Sequence, residues 1–391
     1  MLTKKRLSIF IAHPSDLLTN CRPHGDGLVA YEFINRLAAR GHNLHVMADE
    51  IEIVGNLHHN VKLYPADIKV KNTLARRLLY LVQLRKTFRQ IACDHKIDII
   101  HQLNPVVPGI TLALAGLEGN KPVILGPIVA KNPVTSKNIF TASRRLFKKV
   151  LLSLQQMRAS ALLAVTPAAC NRIFTSKSVM KKMSYITHGI DAASFQATDS
   201  NRFDATDPKI LFLGKVTSCK GIFVLLDAFE KVVKNYPSCQ LWVGGSLQKD
   251  ASEVKARIDR MDSNAQLRLL GVVPRNKVPE LMQACTVVCV PSFYEPFGMV
   301  ALEAMSCGKP VVGSDCGGLH YLIPEQGGRT VQPEDSVLLA KALLEVIQSP
   351  ELQQEMGRYN RRLVEQTYDW EEVVNQLETT YYDSIDQQSL K

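Results

Sequence analysis

Two successive series of short, uninterrupted apolar runs, each run separated from the next by a stretch of helical spacing, constrain this chain more than any other feature. The first half carries "RLSIFIA", "HNLHVMA", "DIIHQL", "PVILGP", "ALLAVT" and "MSYIT"; the second carries "KILFLG", "CQLWVGG", "LRLLG", "TVVCVP", "PVVGSD" and "RTVQP". A run that is apolar throughout belongs in a strand covered on both faces, and helices between such strands are the crossovers a parallel sheet needs. The pattern occurs twice in 391 residues, too many for one core, so the expected fold class is α/β, with two doubly wound domains facing each other across a cleft. The polar stretch "FQATDSNRFDATDPK" is the linker candidate and places the boundary at 200/201.

Several classes fall away early. The basic start "MLTKKRLSIFIAHPSD" has only a six-residue apolar block, at 7–12, and no small-residue cleavage site, so it reads as a first strand rather than a leader. The run at 103–117 contains Asn104, Pro105 and Pro108 and is too short to span a bilayer. Nine scattered cysteines without a CxxC pair suggest reduced thiols, a cytoplasmic location and no zinc site.

Charge is distributed unevenly: residues 1–200 hold 27 Lys+Arg against 12 Asp+Glu, whereas 201–391 hold 20 against 25. The excess concentrates in two acid-free segments, 69–90 and 143–158, with apolar residues at helical spacing (Leu74, Leu78, Leu81, Val82; Leu146, Val150, Leu154, Met157). Each is expected to pack that stripe on a core and expose a basic face. Two such faces raise the prospect of an anionic partner: a membrane surface, reached through the segments around Arg76 and Arg145, a lipid-linked or phosphorylated acceptor, or nucleic acid.

Loop chemistry at strand ends is where a doubly wound sheet binds ligands. Thr166 and Pro167 in "VTPAACNRI" form a helix-start signal, and Gly25 and Gly27 follow the first strand, with Gly41 ending their helix. In "FYEPFGMVALEAMSCGKPVV" a strand ends and a helix is expected to open near 297–299, presenting unpaired N–H groups to an anion; Gly298 lets a phosphate approach. Glu295 and Glu303, about 12 Å apart along a helix axis, suit the polyol groups on either side of a diphosphate. "ILFLGKVTSCKG" adds Lys215 and Lys220 after a buried strand, counter-charges for a diphosphate leaving group.

These residues carry a resemblance. "EPFGMVALEA" resembles the E-x7-E signature of the retaining GT-B glycosyltransferases of family GT4, and "LFLGKVTSCKG" resembles that family's G-R-x-x-x-x-K-G loop. "GDGLVAYEFINRLAARGH" is similar to its glycine loop and first helix, "YITHGID" to its interdomain "NGVD", "SDCGGLHYLI" to its "GGLPE" turn, and "YDWEEVVNQLETTYYD" to its terminal helix. The resemblance implies a GT-B fold of two Rossmann-like domains, 1–200 on the acceptor side and 201–372 on the nucleotide-sugar side, with 373–391 a helix crossing back to the first. It implies that Glu295 contacts donor hexose hydroxyls, Glu303 the ribose diol and Lys220 the diphosphate, with Phe297, Gly298 and Met299 completing the donor pocket. The base is expected near Val272, and His101 near the reacting centre. Three positions depart from the family pattern: Lys215 replaces arginine, His188 replaces asparagine, and Tyr321 replaces glutamate.

The implied activity is transfer of a hexose from a UDP- or GDP-sugar, with retention and without a metal or other cofactor. The expected acceptor is a saccharide or glycolipid, on a lipid-linked or lipopolysaccharide-type precursor, at the inner face of a membrane. A GT-B phosphorylase or nucleotide-sugar epimerase would keep the same donor grip. A dinucleotide oxidoreductase would need the G-x-G-x-x-G spacing that "GDGLVAYEF" lacks, and a nucleic-acid or membrane binding module would leave both glutamates idle.

Overall fold

The computed structural model describes residues 5–390, except 14–16, 22–24, 67, 69, 71–72, 104–119, 131–138, 174–175, 197–206 and 249. Side chains at 73–74, 77–78, 139–148, 171–172 and 264 are likewise outside the described set. The central part of the linker candidate, 197–206, and the Arg145 side chain fall there. The chain forms two compact units, residues 1–188 with 371–391, and 189–370.

The first unit holds a seven-stranded, all-parallel sheet in the order β5-β3-β1-β6-β7-β8-β9, made of β1 (Ser8–His13), β3 (Asn43–Ala48), β5 (Val61–Pro65), β6 (Ile99–Gln102), β7 (Val123–Ile128), β8 (Ala161–Ala164) and β9 (Met183–Tyr185). Two short strands, β2 (Leu18–Thr19) and β4 (Ile51–Glu52), pair beside it. Its helices are α1 (Gly25–Ala39), α2 (Thr73–Asp94), α3 (Ile139–Arg158) and α4 (Lys177–Met180). The six first-half runs all form strands, because a peptide buried on both faces leaves its N–H and C=O groups only neighbouring strands to bond.

Two local expectations fail. Of the stripe assigned to the core in the basic helices, Val82, Val150, Leu154 and Met157 are exposed and Leu81 is half-buried, while Leu74, Leu78 and Leu146 lie outside the described side chains; α2 instead buries Tyr80, Leu84, Phe88 and Ile91. Both faces of these helices carry apolar residues, so spacing alone did not fix which face the sheet would cover. Pro167 opens a 3-10 turn, Pro167–Arg172, rather than an α-helix, and the Thr166 hydroxyl caps nothing.

Residues 371–391 complete this unit. Helix α12 (Trp370–Ser389) docks on α1: Arg40 bonds Asn375, Glu371 and Glu378, Arg36 pairs with Glu371 at 2.9 Å, and His42 Nε2 lies 2.8 Å from Glu378. The Arg40 guanidinium, with Arg36, holds the Glu371 carboxyl below its usual range.

The second unit has a six-stranded parallel sheet, order β12-β11-β10-β13-β14-β15, formed by β10 (Lys209–Leu213), β11 (Gln240–Gly244), β12 (Leu267–Gly271), β13 (Val287–Val290), β14 (Val311–Ser314) and β15 (Gly328–Val331). The intervening helices are α5 (Ile222–Asn235), α6 (Ala251–Asp259), α7 (Val278–Ala284), α8 (Met299–Ser306), α9 (Leu319–Leu322), α10 (Ser336–Ile347) and α11 (Pro350–Leu363), which precede α12. From β10 the chain winds outward through β11 and β12, then returns to pair β13 on the other side of β10, in register Ile210↔Val287. The reversal makes the carboxyl ends of β10 and β13 the switch point of the sheet, where open α/β sheets bind ligands.

Candidate active site

The loops that leave β10 and β13 hold the acids and lysines singled out above, and glycines lock the two loops together. Gly221, at φ +75, ends the Ser218–Lys220 turn and caps α5; a Cβ there would lie 1.9 Å from the Pro291 carbonyl oxygen. Phe293 N–H donates to Cys219 O at 3.0 Å across the same seam. This seam brings Lys220 Nζ to 2.5 Å from Glu295 Oε2, with Ser292 Oγ at 3.4 Å from the same oxygen. Lys215 stands exposed in the β10 loop.

A second seam holds the other side of the 292–298 loop. Gly317, at φ +51, would place a Cβ 2.2 Å from the Glu295 carbonyl oxygen, and one on Gly318 would meet Phe297 Cα at 2.4 Å. Gly318 N–H donates to that carbonyl at 2.7 Å. The paired glycines after β14 thus exist for close approach to the Glu295 loop.

Helix α8 begins at Met299 with Gly298 as its N-cap, at φ +111, and no side chain caps its first turn. The N–H groups of that turn therefore carry the positive end of the helix dipole uncovered. Gly298 is required by its left-handed backbone and by Leu319 Cδ2, 2.6 Å from where a Cβ would stand. Phe297 is buried, its ring 6.3 Å from that of Tyr368. Because the helix starts at 299, Glu295 lies outside it, and the 12 Å axial separation assumed for Glu295 and Glu303 does not apply.

Glu303 is buried on α8, 6% exposed, and Arg275 Nη1 donates to its Oε1 at 3.1 Å. Burial pushes the Glu303 carboxyl above its usual range, and the Arg275 charge and hydrogen bond oppose that. Arg275 was missed because a lone arginine in "GVVPRNKVPE" carries no pattern; it opens a 3-10 turn after β12, its guanidinium 5.7 Å from the Phe195 ring centre. Val272, just past Gly271 at φ +67, is 73% exposed.

In the first unit Gly25 and Gly27 stand in the first turn of α1. Beside them a small cavity at the ends of β1, β6 and β7 is lined by His13, Asp26, Leu103, Pro127, Val129 and His188. Burial holds His188 neutral, its pKa lowered to about 4. His101 does not border this cavity. It is fully buried, its Nδ1 2.5 Å from the Tyr381 hydroxyl and its Nε2 2.9 Å from Gly126 O, and burial lowers its pKa to about 4. Both ring nitrogens are spent on the protein, so the expectation that His101 serves the reacting centre is corrected to a structural role joining β6, β7 and α12.

Comparison with known proteins agrees with this layout. Residues 24–194 match the model for Glycosyltransferase Family 4, and residues 195–363 match that for Glycosyl transferases group 1. The solved structure of Anabaena HepE in complex with UDP superposes with a TM-score of 0.72 at 18% identity, over 96% of this chain and 100% of that one. The phosphatidyl-myo-inositol mannosyltransferase of Mycobacterium tuberculosis is 28% identical over 298 residues, 73% of either chain. The glycogen synthase of the same organism is 30% identical over 205 residues, 52% of this chain, which spans about half (49%) of that enzyme. The two parallel sheets have the GT-B fold of the glycosyltransferases. Within that class, the chain belongs to glycosyltransferase group 1, family 4.

Proposed function

We propose that the chain transfers a hexosyl group from a nucleoside diphosphate sugar to an acceptor hydroxyl with retention of configuration. One observation carries the reading: the two loops at the β10/β13 switch point join Lys220 to Glu295 directly before the uncapped start of α8, with Glu303 one turn inside it. Lys220, Lys215 and the first-turn N–H groups around Met299 take the diphosphate; Glu295 accepts hydrogen bonds from the hexose and Glu303 from the ribose diol. Phe297 and Gly298 shape the wall between them, and the base lies at Gly271 and Val272. The bond from the anomeric carbon to the phosphate oxygen breaks with its electron pair going to the diphosphate. The acceptor oxygen bonds the anomeric carbon on the face the phosphate leaves, which keeps the configuration, and its proton passes to the departing diphosphate oxygen. The UDP held by HepE supports a uridine donor.

A thermal-shift panel of UDP- and GDP-sugars, followed by turnover, tests this. A matching donor raises Tm, and Lys220→Ala lowers kcat/KM by roughly 10²-fold or more. No stabilisation by any donor, or turnover that survives Glu295→Gln with Glu303→Gln, refutes it. Product formed from donor alone would replace transfer by phosphorolysis or epimerisation.

The acceptor in this reading is a saccharide on a lipid carrier. No helix among the described residues is long and apolar enough to cross a membrane. The exposed rows Leu79 and Val82 near Lys86, and Val150, Leu154 and Met157 between Lys149 and Arg158, suit the surface of an anionic bilayer. Arg76 is not part of that surface, because it pairs with Asp49 and Glu50. The lipid acceptor named for the mannosyltransferase relative supports the same reading. Flotation on liposomes with and without anionic lipid checks it: equal binding to both removes the membrane step.

A further inference from the structure

We infer that Arg275 is a positioning residue for donor binding, holding the buried Glu303 carboxylate as an anion aimed at the ribose diol; this rests on the role proposed above for Glu303. The two residues come from different elements, the turn after β12 and helix α8, so their pairing is set by the fold and not by one local segment. Arg275 engages Oε1 alone, whereas Oε2 takes no hydrogen bond from any described residue. One oxygen is fixed and the other keeps its lone pairs for a ligand hydroxyl. The guanidinium is itself braced, 5.7 Å from the Phe195 ring centre, while more than half of its side chain stays in solvent. It can therefore hold the acid without filling the space beside it.

Arg275 is the charged group whose field reaches Glu303. Cys307, which caps the end of α8 one turn beyond Glu303, also senses that acid, but burial pushes its thiol up to about 12 and it stays neutral. Burial favours the protonated acid, and Arg275 opposes it. Protonation would turn Glu303 from a two-oxygen acceptor into a competing donor and weaken its grip on a diol. Without Arg275 this loss begins at a higher pH.

Calorimetric titration with UDP-glucose and GDP-mannose, whose phosphates do not titrate between pH 5 and 8, tests the inference on wild type, Arg275→Ala, Arg275→Lys and Glu303→Gln. Wild-type affinity for the preferred donor weakens as pH falls. In Arg275→Ala the same limb is displaced to higher pH by about one unit, which makes Kd about tenfold weaker along it. Arg275→Lys, which keeps the charge and loses the fork, is displaced less. Glu303→Gln shows no such limb. Uniform weakening in Arg275→Ala with no displacement, or curves that superpose, overturns the inference while leaving the donor reading in place. Failure of the wild type to bind either donor removes both.

Discussion

Replacing Tyr381 by Phe removes one oxygen from the centre of the first unit, and its cost follows from the contacts of that atom. The tyrosine hydroxyl donates to His101 Nδ1 at 2.5 Å, and the other ring nitrogen donates to Gly126 O. His101 and Tyr381 are both 0% exposed. With its pKa lowered to about 4, the imidazole is neutral near pH 7, so Nδ1 is an acceptor that must find a proton donor. Phenylalanine leaves it without one where water does not reach, a penalty of about 1–3 kcal/mol. Taking ~2 kcal/mol, the transition of a unit of roughly 200 residues drops by about 4–8 °C. Scanning calorimetry at pH 8 measures this, with donor binding followed in parallel and unchanged. Pairing the change with His101→Leu, which removes the orphaned acceptor, costs less than the two single changes added together. A Tm within about 1 °C of wild type refutes the reasoning. Turnover lost at unchanged stability would return His101 to the chemistry.

Three further outcomes can be checked. His101 and His188 each have a folded pKa of about 4 against 6.5 in the unfolded chain. The unfolded state therefore binds their protons first, so the stability these residues contribute is complete above pH 6.5 and is lost as pH falls towards 4, by up to ~3 kcal/mol each. Urea midpoints at pH 8, 6 and 4.5 that do not decline would contradict this. Gly317→Ala forces a Cβ to within 2.2 Å of the Glu295 carbonyl, so donor affinity should fall at least tenfold, by the order-of-magnitude cost of a displaced binding loop. Gly25→Ala meets nothing within 4 Å and should leave the fold intact; a donor-affinity loss in that variant would mark direct approach of the ligand to the Gly25 backbone, and equal affinity of wild type and Gly317→Ala would discount the seam.

Twelve of the thirteen strands in the two large sheets were readable because most are short apolar runs bounded by turn residues; this includes the edge strands β9, β12 and β15. Strand β5, "VKLYP", was missed: it lies at the sheet edge, and its half-covered residues alternate irregularly with exposed Lys62 and Pro65. Glu295, Lys220 and Gly298 were legible because their spacing crosses a strand end and a helix start. Arg275 was not, since its partner lies 28 positions away and only the fold brings them together. His101 was assigned to the chemistry from its place at a strand end. Its neighbour Tyr381 is 280 residues distant, and no local pattern could reveal that pairing. The paired glycines 317 and 318 were visible as a turn, but that they seat the Glu295 loop depends on contacts between strand ends.

The return of the last helix to the first unit has a consequence for synthesis. Residues 5–188 leave the ribosome with the groove for Tyr381 empty and Arg40 and His42 lacking their carboxylates, and about 180 further residues must be translated before α12 emerges. At ordinary elongation rates that interval is roughly 10–40 s. During it the nascent amino-terminal half must persist with an open hydrophobic seat, which makes it the part of the chain most in need of chaperone cover before release.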